Sequence, residues 1–275
     1  MDEKPRPILK WAGGKRSIAA SIIGKLPNSF HAYIEPFLGG GSIFFSICES
    51  LGSHRAILAD INEDLMCLYE AIKEKPGDLV REIHGIQYKN SREDFYMARA
   101  EYNSLPACSI RRSALLVYLN RHCYNGLYRV NRNGMYNVPF GRYANPSMPG
   151  EDSIRAASRC LSGARLIRSD FFHVISLAGS GDLIYADPPY TPVSKSSNFT
   201  SYSKGGFGWE DQIRLKKALE LADRNGAYFI LSNSWVREIL DLYSSYSITR
   251  VEVNRNINSV PDSRRKIPEA IIRNF

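Results

Sequence analysis

Between Tyr102 and Gly150 the chain has no aspartate, no glutamate and no lysine. The absence is local, because the whole chain holds 28 acidic residues against 36 basic ones, for a net charge of +8. Other absences exclude whole classes. No apolar run approaches the roughly 20 residues that span a bilayer. The start, MDEKPRPILKW, lacks the charged-then-apolar layout of a signal peptide. There are no internal repeats and no low-complexity tracts, and 44% hydrophobic with 23% charged residues argues for a folded chain with a large core. The five cysteines (Cys48, Cys67, Cys108, Cys123, Cys160) are odd in number and form no C-x-x-C pair, and the five histidines are scattered. No zinc pattern results. The expectation is a reduced, cytoplasmic protein with no metal and no membrane partner.

The acid-free stretch is rich in something else. It holds Arg111, Arg112, Arg121, Arg129, Arg132 and Arg142, interleaved with Tyr118, Tyr124, Tyr128, Tyr136, Phe140 and Tyr143. Arginines contact phosphates and base edges, and aromatic rings wedge or stack on bases. On charge alone a solvated basic face explains the excess equally well. The missing acids favour a polyanionic partner.

Strand-like and helix-like segments alternate in the first third: HAYIEPF, GSIFFSICESLG, HRAILAD, then the helical NEDLMCLYEAIKEKPGDLVREIHGI, capped by Asp60 or Asn62. Such alternation predicts an α/β parallel sheet. The middle changes character, with two helices, SREDFYMARAEYNSL and IRRSALLVYLNRHCY, before a turn-rich ribbon in which Asn133-Gly134 signals a hairpin. The α/β pattern resumes with GARLIRSDFF, DLIYADPPY, the helix WEDQIRLKKALELADRNG and AYFILSNS, and closes on a strand pair. The simplest organisation is a discontinuous catalytic domain, residues 1–60 and 156–275, interrupted by an inserted domain over 61–155.

Three motifs can carry chemistry. In YIEPFLGGGSIFF a strand runs into Gly39-Gly40-Gly41 and a helix, which brings backbone close to a nucleotide-like ligand. Asp60 ends the next strand near the roughly 20-residue offset at which an acid meets ribose hydroxyls. The pattern is not G-x-G-x-x-G, so a dinucleotide is disfavoured, and a plain glycine turn with a helix-capping Asp60 stays open. LKWAGGKRS fails as a P-loop: no glycine stands five residues before Gly14, and Arg16 replaces the magnesium-binding Ser or Thr. Trp11 and Lys15 can still frame a ligand, although Trp11 alone reads as packing. In DLIYADPPYTP, Asp187 and the Pro188 carbonyl can accept two hydrogen bonds from an exocyclic amine, while Tyr190 offers a ring for a planar base. A stiff loop with a surface acid is the bland alternative.

The ordered set LKWAGGK, IEPFLGGGS, ILADIN, YLNRHCYNGLYRVN, YNVPFGRY, YADPPYTP, NFTSY and SNS resembles, nearly end to end, the Dam-type (α-group) DNA adenine-N6 methyltransferases, including members from GATC restriction–modification systems. The resemblance implies a Rossmann-like S-adenosylmethionine-dependent methyltransferase sheet with an inserted, mainly helical DNA-recognition domain carrying a β-hairpin. It implies S-adenosylmethionine bound by Trp11, Lys15, Phe37, Gly39, Asp60, Asp170 and Asp187. Catalysis falls to Asp187, Pro188 and Tyr190, which grip an adenine flipped out of the duplex for direct methyl transfer. Contacts to double-stranded DNA fall to Lys10, Tyr124, Asn125, Leu127, Arg129, Pro139 and Arg142, with Tyr124 as a wedge and Arg129 reading a guanine. The implied site is GATC and the implied state a monomer. SKSSNFTSYSKGGFG resembles the family's mobile segment beside the active site, with Gly205-Gly206 as a hinge. Three rival readings are a methyltransferase acting on RNA adenine or a protein glutamine, a DNA-binding protein that has lost catalysis, and an NAD-dependent oxidoreductase. The base-reading hairpin, the intact Asp187-Pro188-Pro189-Tyr190 and the missing fingerprint argue against them in turn.

Overall fold

The computed structural model describes residues 4–52, 55–190, 207–254 and 266–275. Seven strands form one sheet: β1 (Ala32–Glu35), β2 (Arg55–Asp60), β3 (Ala164–Arg168), β4 (Leu183–Ala186), β5 (Tyr228–Ser234), β6 (Ser247–Asn254) and β7 (Lys266–Arg273). Their order is β3-β2-β1-β4-β5-β7-β6. The pairs β1–β2, β2–β3, β1–β4 and β4–β5 are parallel, and β7 runs antiparallel between β5 and β6. The order reverses between β1 and β4. In open α/β sheets a crevice for ligands opens at such a reversal, outside the carboxyl ends of the strands.

Alternate residues on each strand serve opposite faces, as the strand period of two requires. Tyr33, Leu58, Leu183 and Tyr185 enter one buried cluster, while Ile34, Ala59, Ile184 and Ala186 enter the other. The first face is covered by α1 (Ala19–Ile23), α2 (Ser42–Leu51), α3 (Glu63–Glu74), α4 (Pro76–His84), α5 (Arg92–Ser104), α6 (Ile110–His122) and α7 (Glu151–Leu161). The second is covered by α8 (Phe171–Ile175), α9 (Trp209–Arg224) and α10 (Arg237–Leu242). Asn62, not Asp60, caps α3, accepting from the amide of Leu65 at 3.1 Å, and Glu63 and Asp64 complement the dipole in its first turn.

Three features differ from the sequence expectations. The single helical segment expected after Asn62 is two helices. Pro76 has no amide to donate and its ring clashes with the preceding turn, so Lys75 leaves the helical region (φ −136°, ψ 47°) and α4 starts on the proline. The cysteines are not all reduced: Cys48 on α2 is bonded to Cys160 on α7, and Cys67 on α3 to Cys108 before α6. These partners are 112 and 41 residues apart, so only helix packing could reveal them. Cys123 is buried and free. The ribbon around Asn133-Gly134 holds two isolated antiparallel bridges, Val130 to Tyr136 and Cys123 to Phe140, in place of continuous strands. The segment expected to be mobile, together with its Gly205-Gly206, lies outside the described residues up to position 206.

Candidate active site and nucleic-acid face

Each motif stands at a carboxyl end beside the reversal. After β1, Gly39 and Gly41 adopt φ of +48° and +68°. A Cβ on Gly39 would lie 2.9 Å from Cδ1 of Trp11, so the indole rests directly on the turn. The Gly39 amide donates to Oδ2 of Asp60 at 3.0 Å, and the Asn62 amide donates to Oδ1 at 2.9 Å. Burial raises the pKa of Asp60 and these two amides oppose the rise. Each carboxylate oxygen keeps a further lone pair for a ligand hydroxyl. Phe37 stacks on Phe171 (centroids 5.2 Å apart) and meets Phe207 edge-on (5.7 Å). Asp170 caps α8 through the Phe172 amide at 2.9 Å and pairs with Arg214 at 3.1 Å, whose guanidinium lies 5.0 Å over Phe171. Phe37, Asp170, Gly39 and Asp60 thus line the ends of β1, β2 and β3, with Trp11 on the far side of the glycine turn.

After β4, Asp187 enters a buried ionic cluster. Lys15, 4% exposed, places Nζ 2.9 Å from Asp187 Oδ1, 3.8 Å from Glu269 Oε2 and 4.4 Å from the Tyr190 ring centre. The same Nζ donates to the Gly13 carbonyl at 3.0 Å. Burial pushes the Asp187 carboxyl up to about 6, with Lys15 pulling it down and Glu269 pushing it further up. The Tyr190 hydroxyl is pushed far up by burial and then by the Asp187 and Glu269 charges. Glu35, at the end of β1, accepts from Tyr33 at 2.7 Å and is raised to about 8, mainly by burial. Pro188 is buried and follows Asp187 without a backbone donor. The arrangement offers a fixed carboxylate acceptor beside an aromatic ring, away from bulk water.

A second group converges on the opposite side of Trp11, which stacks on Tyr128 at 5.6 Å. Tyr124, 42% exposed, donates its amide to the Pro139 carbonyl at 2.9 Å. Asn125 (φ +54°) donates its amide to the Tyr143 hydroxyl at 3.0 Å, and Lys10 Nζ lies 4.8 Å over the Tyr143 ring. Lys10, Tyr124, Asn125 and Pro139 are therefore one connected surface. Arg129 is tied by Nε to Asn137 Oδ1 at 2.8 Å, and Arg142 stands exposed at φ +56°. Leu127 is different: it packs against the core. Among the described residues no three His, Cys, Asp or Glu side chains gather as a metal would require. No helix among them is long and apolar enough to cross a membrane.

Sequence reasoning passed over Glu269, Glu35 and Asn120. Glu269 had a signal, being the lone acid in the apolar strand KIPEAIIR, since a buried acid is rare unless paired. Asn120, 2% exposed, had none beyond its place in a helix with an all-round apolar pattern.

A glycine turn, a strand-end acid and an Asp-Pro-Pro-Tyr segment gather at one sheet reversal, the place where open α/β sheets take ligands. Comparison with known proteins gives the class. The family model described as D12 class N6 adenine-specific DNA methyltransferase matches residues 11–257, and the chain belongs to that family. It is 37% identical over 286 residues to the type II methyltransferase M.MjaIII of Methanocaldococcus jannaschii, covering 98% of this chain and 99% of the relative. It is 36% identical over 273 residues to the DNA adenine methylase of Serratia marcescens, covering 98% of each. Among solved structures, a precorrin 8w decarboxylase of Methanobacterium thermoautotrophicum superposes with a TM-score of 0.37 at 10% identity over 94% of this chain and 89% of that one, a likeness that carries no argument. The protein is an adenine-specific DNA methyltransferase.

Proposed function

We propose that the protein transfers a methyl group from S-adenosylmethionine to N6 of an adenine flipped out of duplex DNA, within the sequence GATC. The observation that carries the reading is the position of Asp187, a half-buried acceptor just past the end of β4, the strand beside the one that runs into the glycine turn Gly39–Gly41. The residues fit the cofactor. Gly39, lacking a Cβ, lets the Trp11 indole close on the turn, Asp60 keeps lone pairs for ribose hydroxyls, and Phe37 and Phe171 offer faces for an adenine, with Asp170 beside them. Trp11 and Lys15 frame the same turn. When bound, the cofactor supplies an electrophilic methyl on a cationic sulfonium.

Asp187 and the Pro188 carbonyl accept the two N–H bonds of the substrate amine, which turns its lone pair away from them and towards that methyl. Tyr190 stacks on the base. As N6 bonds to the methyl carbon, the carbon–sulfur bond would break, S-adenosylhomocysteine would leave, and the amine would release one proton to solvent; the acceptors do not attack carbon themselves, so no covalent bond to the enzyme forms. Residues 61–155 act as the DNA-reading unit on this reading. Tyr124 fills the gap left by the flipped base, and Arg129 donates to a guanine once it leaves Asn137. Lys10, Asn125, Pro139 and Arg142 flank them, and Leu127 supports the turn from below. The enzyme acts as a monomer in the cytoplasm.

Methyl transfer from labelled S-adenosylmethionine to two short duplexes tests the proposal. One carries GATC and the other has N6-methyladenine already in place on both strands. Label in the first alone supports donor, target atom and site together. Equal label in both refutes the site, and label on random-sequence DNA only identifies a different one.

A further inference from the structure

Lys15 and the substrate amine converge on one carboxylate. The Lys15 ammonium sits 2.9 Å from Asp187 Oδ1, and the reading above assigns Asp187 as an acceptor for adenine N6. A carboxylate paired with a buried ammonium is a poorer acceptor for a second donor than one released from it, so the base is held best when the lysine yields. It is buried, and an unpaired buried ammonium is too costly to strand. One other carboxylate stands within reach among the described residues: Glu269, 3.8 Å from Lys15 Nζ. Its Oε2, like Asp187 Oδ1, is a buried oxygen without a well-formed hydrogen bond among the described residues, and the Tyr190 hydroxyl is its neighbour. It is therefore an alternative acceptor for the ammonium.

The fold holds Glu269 there rigidly. It lies on β7, opposite Ser234 of β5 and Val251 of β6, and is 8% exposed. Strands on both sides fix its backbone, so the side chain cannot retreat to solvent. Lys15, by contrast, is on the short turn before α1, and its long stem can swing the ammonium by the ångström that separates the two contacts.

We infer that Glu269 is a positioning residue that takes the Lys15 ammonium from Asp187 when the target adenine enters, freeing the Asp187 carboxylate for the N6 amine. The inference rests on Asp187 as the amine acceptor. Exchange of one ion pair for another keeps the buried charge count constant, and the carboxylate that Lys15 gives up meets an N–H of the incoming amine. Before the base arrives, Lys15 occupies Asp187 and keeps that carboxylate ionised; afterwards Glu269 holds Lys15 beneath the Tyr190 ring.

Single-turnover methyl transfer to a duplex that the wild-type enzyme methylates tests this, with S-adenosylhomocysteine affinity as the check on folding and on the cofactor site. Glu269→Gln should slow transfer about 10- to 100-fold, the cost typical of a misplaced group at the reacting centre, and leave S-adenosylhomocysteine affinity within about 2-fold. Glu269→Asp should recover part of the rate. In a Lys15→Met background Glu269→Gln should add no further loss, because no ammonium remains to be moved. The same slowing in both backgrounds overturns the inference, as does a wild-type rate in Glu269→Gln. Asp187→Ala separates the two levels. If it retains methyl transfer, the assignment of Asp187 falls and the inference with it; if it is inactive while Glu269→Gln acts equally in both backgrounds, only the inference falls.

Discussion

The Asn120 side chain holds Lys10 at both backbone groups, accepting from its amide at 2.7 Å and donating to its carbonyl at 2.8 Å, and it donates again to the Gly126 carbonyl at 3.0 Å. One buried amide on α6 therefore sets the amino-terminal segment against the turn that carries Tyr124 and Asn125. Lys10 also packs so closely on Gly126 that a Cβ there would lie 2.5 Å from the lysine Cβ.

Asn120→Ala removes three hydrogen bonds and leaves buried backbone groups unpaired, at a cost of about 1–3 kcal/mol. Site discrimination should relax while S-adenosylmethionine affinity stays the same. Urea unfolding, with rates on the preferred duplex and on single-mismatch duplexes, measures both. Unchanged discrimination in a destabilised protein would reduce Asn120 to a structural role.

Asp187 titrates at about 6 in the folded protein, so kcat/KM should fall on the acid side of that value as the carboxyl gains a proton and ceases to be a free acceptor. Lys15→Met should move that limb upward, because Lys15 holds the value down. Asp187→Ala should cost on the order of 100-fold or more in methyl transfer and spare most duplex affinity, which comes from phosphate contacts elsewhere. A limb that stays in place in Lys15→Met assigns it to another group.

Glu35 works in the opposite direction on stability. The folded protein keeps its proton up to about pH 8, whereas the unfolded chain releases it near 4.5. Between those values the folded state binds more protons, so the contribution of Glu35 is full below 4.5 and is lost as pH rises through about 8. Glu35→Gln keeps an acceptor for Tyr33 and removes the titration. It should flatten the fall in stability over that window and gain about 1–3 kcal/mol at its alkaline end. Urea midpoints across the window check the slope; an unchanged slope places the titration elsewhere.

Gly39→Ala meets two obstacles at once. Its φ of +48° costs an L-residue about 1–2 kcal/mol, and the new methyl would press on Trp11. S-adenosylmethionine affinity should drop about 10-fold or more, with duplex binding little changed. Isothermal titration with each ligand separates the two. Wild-type cofactor affinity would show that the turn does not touch it.

The strands were legible because AYIE, RAILAD, LIYA and YFILSNS are short apolar runs ending in polar or small residues. The start of α3 was legible because Asn62 was one of its two cap candidates. Pro76 was visible but was read through, since a helical pattern continues on both sides of it. What one sequence could not show is meeting. Lys15 and Asp187 stood out in their motifs, but Glu269, at the far end of the chain, looks ordinary alone, and nothing in the sequence joins the three. The cysteine pairs were hidden for the same reason. Leu127, expected among the DNA contacts by its position in a motif, is half-buried, with one side packed against the core.

The β1–β4 pairing matches Tyr33 with Leu183 and so must close a loop that includes α2 through α8. Closing a loop of that length as a random chain is entropically unfavourable, although each doubling of length adds only about 0.6 kcal/mol. Helices α3 to α6 make contacts with near neighbours in sequence, and once formed they shorten the effective loop. Fast local folding of α3 to α6 thereby assists the slow, distant pairing on which the crevice depends. These helices contribute to how quickly the sheet is assembled, as well as to how it is covered.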